Sequence, residues 1–250
     1  MGRIRIETAE QAKVIRDFMR RLPEDFDSIG TIIFEGRNTL KECEIEGRRI
    51  VAKRYRRDGF IKKTINRFRH GKAYKSHRNA LRLIAMGIET PRPVGYLEIY
   101  NSLGFRTEQY YVCEYSDAAP IEDEVVKGHD FDREFMTALA RFFAELHEKG
   151  ILHKDSNNTN IRYERRDGKL TFSLIDINRM EFGAMSRNEC LRNLTHFCED
   201  TEAFDYFLDR YIEARGWSKD TKLSAKEIKW EVDSGYARKQ RLKRLFKRRR

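Results

Sequence analysis

Between Thr31 and Tyr55 the chain is committed to an antiparallel meander. Thr31 to Phe34 (TIIF) is a short β-branched and aromatic run. It turns through Glu35, Gly36, Arg37 and Asn38 into TLKECEIE, whose alternation is that of a half-exposed strand. Gly47 then marks a tight turn into RRIVAKRY. Connections this short join only neighbouring antiparallel strands, because a parallel crossover takes a dozen or more residues.

The elements that follow change in character along the chain. AYKSHRNALRLIAMG reads as a helix closed by Gly87. Pro91 and Pro93 hold the chain extended before PVGYLEIY, and QYYVCEY is a further strand, broken by Asp117-Ala118-Ala119-Pro120. From Asp132 to Lys149, Phe135, Leu139, Phe142, Phe143 and Leu146 recur at helical spacing, and Gly150 ends the helix. ILHKDSNNTNI and a hairpin turning at Asp167-Gly168 come next, and the remainder reads mostly as helix. The first half is therefore strand-rich with one helix, the second helical with one hairpin, and the chain divides near residue 120. The segment ahead of the meander, MGRIRIETAEQAKVIRDFMRRLP, reads as an amphipathic helix without the apolar core of a signal peptide.

Charge and cysteine content narrow the classes. The net charge of +11 looks like a nucleic-acid signature until it is located: residues 238 to 250 carry nine Lys or Arg and no acid, which leaves about +2 for the rest. No stretch approaches the roughly 18 to 20 apolar residues of a membrane span. Gly2 does not begin a myristoylation site, because residue 6 is Ile. Cys43, Cys113, Cys190 and Cys198 show neither CxxC nor zinc spacing and read as reduced thiols of a cytoplasmic protein.

The chemistry concentrates in His153-Lys154-Asp155-Ser156-Asn157-Asn158-Thr159-Asn160. Its form, H-x-D-x-x-x-x-N after a Gly-ended helix and before a hairpin, is the catalytic-loop spacing of kinases. Asp155 would orient the attacking hydroxyl and accept its proton, and Asn160 would hold a Mg²⁺ that bridges the phosphates of ATP. Asp176, directly after the apolar end of the hairpin, sits where a second Mg²⁺-binding oxygen is needed. Lys53, on the third strand of the meander, could pair the α- and β-phosphates. Each alone has a plain reading: Asp155 or Asp176 as a turn residue, the asparagines as turn formers, His153 as a buried brace, Lys53 as one cation among many. Their order along the chain, each in its expected element, carries the reading.

With those residues in hand, the stretches FEGRNTLK, NALRLIAMGIETPRPVGYLE, ILHKDSNNTNI and LIDINRMEFG resemble the lipopolysaccharide kinases of the Kdo/WaaP type, from about residue 18 to residue 215. The resemblance implies an α+β, protein-kinase-like two-lobed fold: a small antiparallel-sheet N-lobe with one helix over 31–117 and a mainly helical C-lobe over 118–237. A helical extension over 1–30 and a basic tail over 238–250 flank them. It implies ATP-dependent phosphorylation of a Kdo or heptose hydroxyl of the lipopolysaccharide core or lipid A precursor at the inner membrane. It also assigns Gly36, Arg37 and Asn38 to the phosphate-covering turn and Glu114 and Tyr115 to the adenine hinge. The chain departs from the pattern in four places. The first turn has a single glycine, Arg78 stands where a helix Glu often pairs with the strand lysine, the loop reads Asn-Asn-Thr for Ser-Pro-Gly, and Asn178 replaces a Gly after Asp176. In the absence of a helix acid, Asp176 is a candidate partner for Lys53.

Only about ten residues separate Asp176 from the helix-like SRNECLRNLTHFCED, too few for the peptide platform of a regulated protein kinase, so a sugar-like acceptor fits better. The basic loop 54–72 and the tail 238–250 interleave cations with apolar residues and suit an anionic inner-membrane surface, with nucleic acid as the generic competitor. Two other readings stand beside the sugar kinase: an atypical protein or small-molecule kinase, and a non-catalytic kinase-like module bound to membrane or nucleic acid.

Overall fold

In the computed structural model, which describes residues 3–9, 12–56, 69–125, 130–196 and 201–247, with side chains through Gly235 except at 123, 196 and 201, the meander becomes half of a six-stranded sheet. The first of two units comprises Met1–Asp117 and Ser173–Arg179. Its elements are β1 (Arg3–Thr8), α1 (Lys13–Asp25), β2 (Thr31–Glu35), β3 (Asn38–Ile45), β4 (Arg48–Tyr55), α2 (Lys72–Ala85), β5 (Pro93–Tyr100) and β6 (Arg106–Glu114). The sheet order is β1-β5-β6-β4-β3-β2, antiparallel throughout.

The first residues differ from the expected helix. Arg3–Thr8 is a strand, paired with β5 from Arg3↔Tyr100 to Thr8↔Gly95. The physical reason is in the residues themselves: Ile4 and Ile6 alternate with Arg3, Arg5 and Glu7, a period of two that the longer helical stripe from Ile15 onward obscures. The Arg5 guanidinium, 4.9 Å from the Tyr74 ring centroid, adds a cation–π contact.

A residue's face on the sheet follows from its cross-strand partners. Ala52 pairs with Lys41 and Val112, and their face is covered by α1, whose Ile15, Met19 and Leu22 recur at helical spacing and join Phe26 in one apolar cluster with Cys43, Ile50, Ala52, Leu97 and Tyr110. Lys53 pairs with Leu40 and Tyr111 and so points to the opposite face, where α2 packs Ala73 against Tyr55, Tyr96 and Tyr111. The first amides of α2 have no cap from within the helix. Buried Gln109 supplies one, its side-chain oxygen accepting from the N–H groups of Lys72 (2.8 Å) and Ala73 (3.2 Å).

The second unit comprises Ala118–Phe172 and Met180–Arg250. It holds β7 (Ala119–Pro120), α3 (Glu122–Val125), α4 (Arg133–Glu148), β8 (Ile151–His153), β9 (Ile161–Arg166), β10 (Lys169–Leu174, whose last two residues belong to the first unit), β11 (Met180–Phe182), α5 (Arg187–Asn193), α6 (Thr201–Ala214) and α7 (Thr221–Lys247). Asp132 caps α4 by accepting from the Phe135 N–H, and Ser186 with Glu189 forms a capping box on α5. Phe135, Leu139, Phe143 and Leu146 of α4 are fully buried with Phe207 and Tyr211 of α6. Among the described residues no helix is long and apolar enough to cross a membrane. Residues 57–68 of the expected basic loop and 248–250 of the basic tail lie outside the described residues, while the backbone of α7 runs helically through the tail to Lys247.

Candidate active site

The loop that carries Asp155 and Asn160 starts from a turn only glycine can make. Gly150 has φ +69°, and a Cβ there would meet the Gly183 carbonyl oxygen at 2.6 Å. That close approach lets β8 pair with β11, His153 opposite Met180, and sets the start of the loop. His153 is buried, and its Nδ1 accepts from the Asp155 N–H at 3.1 Å, so it is the brace that its plain reading describes. Asn157 organises the loop's second half: its Oδ1 accepts from the Thr159 N–H (3.1 Å), the Thr159 hydroxyl (2.8 Å) and the Asn160 N–H (3.0 Å). Asn160 donates Nδ2 to the Asp155 carbonyl at 2.8 Å, which fixes the amide with its nitrogen turned into the loop. Lys154 pairs with Glu181.

Underneath lies a buried polar network that sequence reasoning missed. Asn193, at the end of α5, donates to the His153 carbonyl (2.8 Å) and to the Ser156 hydroxyl (3.1 Å), and its Oδ1 lies 3.1 Å from His147 Nε2. The Asn193 carbonyl in turn accepts from Ser156 Oγ at 3.1 Å. His147 Nδ1 meets the Tyr211 hydroxyl at 2.7 Å. Because an amide oxygen only accepts, Nε2 of His147 carries the proton and Nδ1 accepts from Tyr211. Burial pushes the His147 pKa down to about 4; the Asn193 bond opposes this and the nearby Arg215 charge adds to it. Nothing in the spacing of Asn193 marks it in the sequence. The one signal is an asparagine on the buried face of a short helix.

In the first unit, Lys53 Nζ lies 2.7 Å from Asp176 Oδ1. Burial works against the Lys53 ammonium, but the Tyr55 hydroxyl and the Asp176 carboxylate outweigh it and leave its pKa raised. The same Oδ1 accepts from Asn178 Nδ2 at 2.7 Å, so the residue that departs from the usual glycine braces the carboxylate. Asp176 has φ +52°, a left-handed conformation that costs a non-glycine residue about 1–3 kcal/mol and persists only where its surroundings over-determine it. Upstream, Leu174 donates its N–H to the Glu89 carbonyl and accepts from the Thr90 hydroxyl.

Arg78 is not the residue that faces Lys53. It is exposed on the outer side of α2, 3.9 Å from Glu7. The sheet-facing positions are Ala73, Ser76, His77, Ala80 and Leu83, and Ser76 spends its hydroxyl on Tyr55 at 2.7 Å. No acid of α2 reaches Lys53, because the helix has none.

The remaining expected residues lie at the end of β6 and in the β2–β3 turn. Glu114 and Tyr115 close β6, but their N–H groups are already given to the Arg92 and Arg49 carbonyls at 2.9 and 3.0 Å. The Arg49 guanidinium lies 3.8 Å from the Tyr115 ring centroid and is held by Glu42 (2.6 Å) and Asp117 (3.0 Å). Gly36, Arg37 and Asn38 form the β2–β3 turn, closed by Gly36 N–H to the Asn38 carbonyl at 3.2 Å. They line a cavity of about 490 Å³ with Thr39, Arg54 and Tyr110. Those three are cross-strand neighbours on the α1 side, so the cavity opens away from Lys53.

The donor chemistry suits a hard cation. Among the described residues no group of three or more His, Cys, Asp or Glu is placed to hold a metal. In the second unit Asn160 offers an amide oxygen, and in the first Asp176 offers a carboxylate, each oriented by its own hydrogen bond. Mg²⁺ bound through phosphates asks for no more than one or two protein oxygens.

A solved structure of WaaP in complex with acyl carrier protein is similar over 90% of this chain and 99% of that one, at 18% identity and a TM-score of 0.61. The Rio2 kinase–ADP/Mg²⁺–phosphoaspartate complex from Chaetomium thermophilum matches over 92% and 80%, at 18% identity and a TM-score of 0.47. No curated protein matches. The sequence profile of the lipopolysaccharide kinase (Kdo/WaaP) family matches residues 35–205. The fold is protein-kinase-like, with the sheet and helix of the first unit and the helices of the second. The chain belongs to the lipopolysaccharide kinase (Kdo/WaaP) family and is a phosphotransferase of that type.

Proposed function

We propose that the protein transfers the γ-phosphate of ATP to a Kdo or heptose hydroxyl of the lipopolysaccharide inner core or lipid A precursor. The observation that carries this reading is the Lys53–Asp176 pair at 2.7 Å, which joins the strand lysine to the carboxylate of the hairpin's end in a chain whose α2 has no acid.

In this reading Asp155 accepts the proton of the attacking sugar hydroxyl and orients its oxygen. Lys53 neutralises the α- and β-phosphates. Asn160 and Asp176 would hold Mg²⁺, which would neutralise charge on the phosphates. Asp176 shares Lys53 with the nucleotide, so the lysine is held in place before ATP arrives. The turn of Gly36, Arg37 and Asn38 covers the phosphates with one glycine's freedom. Glu114 and Tyr115 contribute carbonyls to adenine, since their amides are engaged.

The acceptor is a membrane glycolipid, and we place the protein on the cytoplasmic face of the inner membrane. The cations of 54–72 and 238–250 supply attraction to anionic head groups. Exposed Leu223 (69%) and Trp230 (72%), two turns apart on α7, supply apolar contact beside that tail. The experiment is mass spectrometry of core oligosaccharide and lipid A from cells with and without the gene, followed by Mg·ATP assays of purified wild type and Asp155→Ala on lipid A–Kdo acceptor. A phosphate on a core sugar that depends on the intact chain supports the reading. Turnover of ATP on protein or small-molecule acceptors alone would replace it with an atypical kinase. Binding without any phosphoryl transfer would leave a non-catalytic module.

A further inference from the structure

The helix that in this fold is expected to reach the strand lysine through a carboxylate reaches something else here. Asn79, partly buried on α2, donates Nδ2 to the Ile177 carbonyl at 2.7 Å. Ile177 follows Asp176 and its carbonyl belongs to the 177–178 peptide, so this bond fixes the backbone one residue beyond the left-handed aspartate. The turn is thereby pinned on three sides. Glu89 and Thr90 hold Leu174 upstream, Lys53 and Asn178 hold the Asp176 carboxylate, and Asn79 holds the carbonyl downstream.

We propose that Asn79 is a positioning residue for metal binding: its hydrogen bond to the Ile177 carbonyl keeps Asp176 in the left-handed conformation that presents its carboxylate to Mg²⁺. This rests on the assignment of Asp176 as a metal ligand made above. The argument is one of over-determination. A strained aspartate relaxes to ordinary backbone unless the bonds around it forbid the rotation. Lys53 and Asn178 both grip the side chain, and a rotation about the backbone can carry the side chain and its partners along. Asn79 grips the backbone after Asp176, and does so from a packed helix. It couples α2 to the metal turn without a carboxylate, which accounts for a helix that lacks acid and still packs against Ile177–Arg179. An asparagine suits the task because the amide donates to a carbonyl, which a carboxylate at the same place could not do.

The test uses the full chain and two readouts, neither of which is turnover. Hydrogen exchange over residues 174–180 is compared in wild type, Asn79→Ala and Asn79→Asp, the last keeping the size of the side chain should the alanine fail to fold. ADP affinity is measured by calorimetry with Mg²⁺ and with EDTA. The expected result is exchange across 175–179 faster by about tenfold in both variants, with β3 and β4 unchanged, the size of one lost hydrogen bond. The gain in ADP affinity on adding Mg²⁺ shrinks by about the same factor, while affinity in EDTA stays at the wild-type value. Unchanged exchange and an unchanged Mg²⁺ gain would overturn the proposal, as would a uniform rise in exchange over the whole first unit, which marks plain destabilisation. A wild type that shows no Mg²⁺ gain at all overturns the metal role of Asp176 and this proposal's use of it. Localised exchange in the variants would then still locate the failure in that reading rather than in the Asn79 clamp.

Discussion

Asn193 donates to the carbonyl of His153 across 2.8 Å, and through that bond a short helix near the end of the chain holds the loop that carries Asp155. The contact is buried, with Asn193 8% and His153 1% exposed, so neither group can exchange its partner for water. Replacing Asn193 with alanine strands the His147 Nε2–H and takes from the His153 carbonyl the shorter of its two donors, leaving the Ser156 N–H at 3.2 Å. We expect a loss of about 1–3 kcal/mol of stability by urea denaturation, the cost of unsatisfied buried polar groups. Turnover falls more than nucleotide affinity does, which steady-state kinetics on kcat and KM will separate.

Asp155→Asn keeps the loop's shape, because the backbone carbonyl, not the carboxylate, accepts from Asn157 N–H and Asn160 Nδ2. Phosphoryl transfer drops by about 10²–10⁴ from loss of the general base, with the melting temperature within a few degrees of wild type. Unaltered transfer would remove Asp155 from the role of base.

Glu98 and Arg106 form a pair with their side chains 1% and 10% exposed, Nε to Oε1 at 3.1 Å. Tyr100 donates to the other oxygen of Glu98 at 2.6 Å, and Arg106 donates to the Arg69 carbonyl at 2.6 Å, just ahead of α2. Arg106→Met leaves a buried carboxylate uncompensated and destabilises the protein by about 3–5 kcal/mol. The double variant Glu98→Gln/Arg106→Met recovers part of that loss. Equal melting temperatures for the single and double variants would contradict the pairing.

His147 sets an acid limit. Its folded pKa, near 4, lies below the ordinary value of 6.5, so between those values the unfolded chain binds a proton that the folded chain refuses. Stability from this group is complete above about pH 6.5 and is lost as the pH falls toward 4, by about 3 kcal/mol in total. Tyr211, Asn193 and Arg215 surround the ring. His147→Gln flattens the stability profile between pH 4 and 6.5, as measured by denaturation at each pH.

What could be seen in the sequence was whatever rests on local pattern. The β2–β4 meander follows alternation and glycine turns, and the catalytic-type loop follows a fixed spacing after Gly150, so both are visible without tertiary information. Lys53 and Asp176 are 123 residues apart, and their pairing was anticipated only because the missing helix acid left few partners. Asn79 and Asn193 are different. Each acts through a bond to a backbone carbonyl far along the chain, and a carbonyl has no identity in a sequence. Arg78 stands where a helix Glu often pairs with the strand lysine, yet the helical phase set by Ala73, Ser76 and Ala80 turns it outward. The amides of Glu114 and Tyr115 were likewise spent on partners that only the sheet register reveals.

The strand Arg3–Thr8 has a practical corollary for anyone who handles this protein. It is the outermost partner of β5, and its removal would bare a run of backbone donors and acceptors from Gly95 to Tyr100. Naked edges of this kind recruit other chains. Shortening the N-terminus by eight residues would therefore move the sheet's edge from the charge-alternating Arg3–Thr8 to the more apolar Pro93–Tyr100 and favour self-association.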